Sequence, residues 1–377
     1  MTPAARALPG YAEQAVGGLR HLGQVLELGP AFDASAEETV SVLFGGWGHR
    51  STRGPAEPGQ PGAPAPFEYS LVLSGDRVDV RLFYRPLAAA GTTTAEASWD
   101  AGRHTLAELE RRGLAHLQRA RDLGDHFRPR SGQASFGMCL AASTAAQGID
   151  RVKVYFDTFA AGTGQHQELI GQALHRLGHG PAWDWVRRHD PAGVAALMPA
   201  VFALDLQESA DARVKFYTTV HERSAAELAA RTSALSDTAG RAAADFVEHM
   251  AVDGSAALAG AGLRPTLCWS MTSRRPDRPD DATVYLPSNH YAPRREDITD
   301  RLRTALAPGL FRRVERLVAQ CAETAPAGGP ENPFHWVGTK LLRKEQTFTL
   351  YISAAAVEAA RSAFPTPLAA APHARPR

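Results

Sequence analysis

RVKVYFD (151–157) and RVKFYTT (213–219) are nearly the same word, and their reading decides the fold. In each, a cation, a second cation and a tyrosine stand at alternate positions with apolar residues between. Side chains alternate across an extended strand, so Arg151, Lys153 and Tyr155 share one face, as do Arg213, Lys215 and Tyr217. Val152, Val154 and Phe156, like Val214 and Phe216, form the opposite, greasy face.

Similar short stretches recur: FEYSLVLS (67–74), RVDVRLFY (77–84), TLCWSM (266–271), ATVYLP (282–287) and FTLYIS (348–353). Arg81, Lys153, Lys215, Tyr285 and Tyr351 follow one another at intervals of 62 to 72 residues. Helix-patterned sequence lies between, in 99–123, 166–179, 225–250 and 295–323. A repeated unit of this kind can close a sheet into a barrel, with helices over the apolar outer face and the polar face lining the lumen. The competing account is an antiparallel sheet with one solvated face, which alternates in the same way. Tyrosines recurring beside the cations on several strands suit a chamber, since a wet face has no need of large aromatics.

Such a lumen has a definite chemistry. Converging cations stabilise a leaving diphosphate, and arginine does so through a planar fork of donors. Each close ion pair is worth about 4 kcal/mol at an effective dielectric near 20. Tyrosine faces attract a carbocation by roughly 0.5 to 2 kcal/mol each and exclude the water that would quench it. The combination fits ionisation of an allylic diphosphate beside an electron-rich acceptor. Glu68 shares its strand face with Ser70, opposite Tyr69 and Leu71, and reads either as an acceptor for an aromatic N–H or as a strand-end carboxylate in solvent.

Taken together, FEYSLVLSGDRVDVRLFYRP, RVKVYFD, HRLGHGPAWDWV, RVKFYTT, PTLCWSMTS, ATVYLPSNHYA and TFTLYISAAAV resemble, in order and spacing, the dimethylallyltryptophan synthase family of aromatic (indole) prenyltransferases in its compact bacterial form. The resemblance runs from about residue 67 to 355. It implies an α+β fold, the prenyltransferase (ABBA) barrel, with about ten antiparallel strands inside a ring of helices built from αββα units. It also implies transfer of a dimethylallyl group from dimethylallyl diphosphate to the indole of L-tryptophan or a tryptophan-derived metabolite, with no cofactor and no Mg²⁺. By position, Glu68 would hold the indole N–H, and Arg81, Lys153, Arg213 and Lys215 the diphosphate. Tyr155, Tyr217, Tyr285 and Tyr351 would shield the cation, and Trp336 would line the acceptor pocket. One departure stands out. Fungal relatives carry a lysine base on the strand before RVKVYF, whereas FGMCLAASTAAQ (136–147) has none. Attack through a ring carbon other than C4, or through N1, fits better. Prenylation of a phenol and a non-catalytic barrel that only binds an isoprenoid diphosphate are the alternatives.

The remaining signals are weaker. The chain of 377 residues reads as one barrel domain, with a mobile Pro/Gly loop at 53–66 and a flexible tail at 365–377. A balance of 41 basic and 40 acidic residues points away from nucleic acid. No apolar run reaches the roughly 18 residues of a membrane span, and the opening lacks the order of a secretory signal. Cys139, Cys268 and Cys321 read as buried free thiols, which suits a cytoplasmic protein, monomeric or homodimeric. His175 and His179 have zinc-ligand spacing without a carboxylate partner, and Asp280–Asp281 reads as a turn; neither is expected to be a metal site. Asp205 and Glu208 read as an exposed loop, Arg343 and Lys344 as a solvated hairpin end, and Trp183 and Trp185 as packing.

Overall fold

The computed structural model describes residues 10–51, 65–90, 94–162, 164–195, 201–260, 263–326, 331–342 and 346–364. Most of the 53–66 loop, the 365–377 tail and the pair Arg343–Lys344 lie outside them. Ten strands close one antiparallel barrel: β1 (Phe67–Ser74), β2 (Arg77–Tyr84), β3 (Met138–Ala145), β4 (Gly148–Asp157), β5 (Val201–Asp205), β6 (Val214–Thr219), β7 (Thr266–Met271), β8 (Asp281–Leu286), β9 (Phe334–Lys340) and β10 (Thr347–Ser353). Each pairs with its neighbours in sequence, and β1 pairs with β10 to complete the ring. Full closure leaves no edge strand to be covered. Two strands and the helices around them make each repeat, as the resemblance implies.

The outer face is the core. Tyr69 donates its hydroxyl to the Ala15 carbonyl (3.2 Å) on the helix Tyr11–Val25. Gly18 permits this approach, since a Cβ there would lie 2.1 Å from the phenol oxygen. The parity fixed by Tyr69 turns Glu68 and Ser70 inward. The aromatic packing obeys the same rule on every strand that carries it. Phe156 of β4 and Phe202 of β5 stack on Phe127 at 5.1 and 5.0 Å, and Phe216 of β6 meets Trp183 at 5.4 Å. Trp269 of β7 meets Trp185 at 6.0 Å. Trp183 and Trp185 are therefore packing residues, as read. Burying each such ring contributes roughly 1.5–3 kcal/mol.

Two strands are absent from the sequence reading: β5, and β9 with Trp336 on it. Three of the four helical stretches are also divided, and the fourth ends early. The stretch 99–123 becomes Ala95–Arg111 and Gln118–Leu123, broken where Gly113 takes φ 71°. The stretch 295–323 divides before Pro308, which opens the helix Pro308–Glu323 at a position needing no N–H donor. The stretch 225–250 divides where Ser236 caps Asp237–Met250, accepting from the Ala239 N–H at 3.1 Å. The stretch 166–179 stops at Arg176, and Gly180–His189 follows after Gly178 at φ 78°.

Candidate active site

Register puts the cations on the inner face. Lys153 lies directly across from Asp205, and Lys215 sits between Ala203 and Ser270. Arg81 faces Ser70, and Arg213 directly precedes β6. Lys153 feels the charge of the other three, and Lys215 that of Arg213 and Arg81. Lys153 and Lys215 are each 6 % exposed, and burial pushes both amines below the usual lysine range, with the neighbouring cations adding to the effect. Among the described residues Lys215 has neither a hydrogen bond nor a carboxylate partner, and the buried Nε of Arg81 is likewise unpartnered. Unpaired buried donors are costly to keep. Arg151 shares the face of Lys153 but is engaged with Asp150 (2.9 Å) and Asp79 (3.5 Å).

Asp205 corrects the sequence reading. It is not in an exposed loop: it closes β5 at 5 % exposure, inside the cation group. Its Oδ2 accepts from Arg213 Nε at 2.7 Å, and its Oδ1 lies 3.7 Å from Lys153 Nζ. Burial would raise its pKa, but Lys153, Arg213 and Lys215 together hold the carboxyl below the ordinary aspartate range. Glu208 is outside, 83 % exposed.

Three of the tyrosines form a connected row. Tyr217 and Tyr285 lie 6.2 Å apart between ring centroids, and Tyr285 and Tyr351 6.0 Å. Tyr155 is held edge-on by Phe83 at 5.1 Å. Burial first, and neighbouring groups second, push these phenols above their usual pKa, so they stay neutral and present π faces. Gly338, opposite Tyr285 in register, gives that ring its place; a Cβ would lie 2.4 Å from it. All four rings keep part of their surface open despite their position inside the barrel.

Glu68 is not in solvent. It is 2 % exposed, and its Oε2 lies 2.6 Å from His335 Nε2. His335 was not singled out in the sequence. Its neighbour Trp336 faces Tyr351, and the β9–β10 pairing shifts by one residue there, so that Phe334 comes to face Ile352. This bulge re-aims His335, which strict alternation would turn outward with Val337. No periodicity reveals such a slip. On β3, the inward positions are Cys139, Ala141 and Ser143, paired with Tyr155, Lys153 and Arg151. No ionised base stands there, as the sequence indicates.

Asp280 and Asp281 hold the backbone. Asp280 Oδ2 accepts from the Thr272 N–H at 2.6 Å, and Asp281, the first residue of β8 rather than a turn residue, accepts from Ala282 and Leu342. Among the described residues no group of three or more His, Cys, Asp or Glu could hold a metal ion, and no helix is long and apolar enough to cross a membrane.

An antiparallel barrel that keeps its grease outside and its cations and phenols inside is the prenyltransferase barrel. A family model described as tryptophan dimethylallyltransferase matches residues 60–308, and the chain belongs to that family. Solved structures agree in fold. A 6-dimethylallyltryptophan synthase from Micromonospora olivasterospora, in complex with DMASPP and Trp, is 22% identical with a TM-score of 0.78, covering 92% of this chain and 98% of that one. A 5-dimethylallyl tryptophan synthase from Streptomyces coelicolor, also with DMASPP and Trp, is 22% identical at TM-score 0.76, covering 93% and 96%. The prenyltransferase PriB, in complex with L-tryptophan and dimethylallyl thiolodiphosphate, is 22% identical at TM-score 0.72, covering 93% and 97%. No curated protein matches the sequence.

Proposed function

We propose that this protein transfers a dimethylallyl group from dimethylallyl diphosphate to the indole ring of L-tryptophan or a tryptophan-derived small metabolite, without a metal ion. The observation that carries the reading is the meeting, in one lumen, of Arg81, Lys153, Arg213 and Lys215 with Tyr155, Tyr217, Tyr285 and Tyr351. The allylic C–O bond breaks, and the diphosphate leaves with the electron pair into the cation group. The tyrosine faces hold the allyl cation and keep water from it. A ring carbon or N1 of the indole supplies the electron pair for the new bond. Glu68 accepts the indole N–H, and the Glu68–His335 pair takes the proton that the ring gives up. Trp336, beside His335, forms a wall of the acceptor pocket.

The whole chain acts as one barrel domain, as a monomer or homodimer. The free, buried Cys139, Cys268 and Cys321 support a reducing, cytoplasmic setting. The test is incubation with dimethylallyl diphosphate and tryptophan or tryptophan-containing small molecules in EDTA, followed by mass spectrometry. A product heavier by one dimethylallyl unit is expected. Donor that binds and is never consumed, with any indole or phenol, would overturn the reading in favour of a binding barrel. A phenolic product formed equally well by Glu68→Gln would shift the acceptor class.

A further inference from the structure

We infer that Asp205 is a positioning residue that sets how firmly the cation group holds diphosphate, and so how fast diphosphate leaves after transfer. The inference rests on the diphosphate reading of this site.

Among the described residues Asp205 is the one carboxylate within salt-bridge distance of these four cations, and it touches two of them, Arg213 at 2.7 Å and Lys153 at 3.7 Å. It engages Arg213 through Nε alone. Neither Nη of Arg213 makes a hydrogen bond among the described residues, so the fork stays available to a ligand. The backbone N–H of Arg213 also reaches Asp205 Oδ2, at 3.4 Å, which fixes the carboxylate to the strand that carries Arg213 and Lys215. Its other oxygen, Oδ1, is buried without a hydrogen bond. A carboxylate so placed can keep its two hydrogen bonds, from Arg213 Nε and N–H, when diphosphate arrives, because the ligand takes the free Nη fork. It then acts on the ligand through its charge.

That charge serves opposite ends at two stages. In the empty site Asp205 offsets the repulsion among Lys153, Arg213 and Lys215 and opposes the loss of a proton from Lys153. In the occupied site it repels the bound polyanion across a low-dielectric chamber. Four cations without it would retain the leaving group after the new bond has formed. Tight holding of product adds nothing to the chemical step and slows turnover.

The test is equilibrium binding of inorganic diphosphate, by calorimetry, to the full chain and to Asp205→Asn, which keeps an acceptor for Arg213 Nε and removes the charge. Steady-state and single-turnover rates accompany it. The Asn variant should bind diphosphate about tenfold more tightly or better. The ratio of its single-turnover rate to its steady-state rate should rise, with a product burst and a slower steady state. A merely structural residue would not split the two rates. Should the Asn variant not fold, Asp205→Ser carries the same comparison. Diphosphate binding unchanged or weakened in the variant, with the parent binding normally, overturns the inference. No binding by the parent instead removes the diphosphate reading itself.

Discussion

Two buried charge clusters lie on opposite faces of the same strands and are built in opposite ways. In the helical layer, Arg231 donates to Asp190 at 2.6 Å, to Glu222 at 3.0 Å and to Thr218 Oγ1 of β6 at 2.8 Å. Asp190 also accepts from Trp269 Nε1 of β7 at 3.2 Å. One cation there is outnumbered by its acceptors. Three residues away along β6, at Lys215, the inner face carries four cations and one carboxylate, Asp205, which among the described residues is in ion-pair contact with two of them, Lys153 and Arg213. A buried charge unmatched by its own protein carries a cost in stability. The contrast teaches which cluster is complete and which is kept open for a ligand. Composition alone does not distinguish them, because both join buried cations to buried carboxylates; the ratio of partners does.

The largest effect that would break this comparison falls on the inner side. Lys215→Met removes a cation without a partner, fills similar volume and relieves a desolvation penalty. Prenyl transfer should drop by about 10²–10³-fold, the loss expected for one preorganised charge contact with a leaving group, while the melting temperature holds or rises. If stability falls along with activity, Lys215 is structural and the two clusters are alike.

On the outer side the expected order is reversed. Arg231→Met leaves Asp190, 3 % exposed, without its cation, and breaking a buried pair from one side costs about 3–5 kcal/mol. Chemical denaturation should show that loss, while turnover per folded molecule stays within about threefold. A large fall in activity at unchanged stability would mean that the outer knot reaches the reaction.

The helical layer also holds a group that meets burial by neutrality instead of pairing. His179 is 1 % exposed, neither ring nitrogen has a partner, and burial, helped by the charge of Arg119 and opposed by Asp280, pulls its pKa down to about 4. The folded protein thus resists protonating it where the unfolded chain, near 6.5, does not. Its contribution is fully present above pH 6.5 and is lost as pH falls from there toward 4, by up to about 3 kcal/mol. Melting temperature against pH should decline over that window, and His179→Leu should flatten that part of the curve. An identical decline in the variant would place the sensitivity elsewhere.

How much of this was legible follows from how each feature is encoded. Lys153, Tyr155, Lys215 and Tyr217 declare their face because polar and apolar residues alternate from 151 to 156 on β4 and from 213 to 217 at β6. β5 offers only VFALD, five residues with one charge at the end, and the acidic, polar QESAD after it made Asp205 read as loop. The helical breaks escaped because periodicity is kept across them, and only Gly113, Ser236 and Pro308 mark the interruption. Glu68 stood open between solvent and site because its partner is 267 residues away, on a strand whose bulge breaks the parity rule.

That pair is the intermediate case, one carboxylate matched to one imidazole, and it sharpens the comparison by the smallest expected effect. Glu68 Oε2 and His335 Nε2 lie 2.6 Å apart, within hydrogen-bond distance. His335→Gln keeps a donor for Glu68 but removes a group able to take the proton onward. If the pair is structural, like the Arg231 knot, the variant loses stability and keeps its rate. If it serves the acceptor, stability holds, prenylation slows by about tenfold, and a solvent deuterium isotope effect on single turnover grows as proton transfer becomes limiting. A slowed variant with no change in that isotope effect would leave His335 as a prop for Glu68 and return the proton to another carrier.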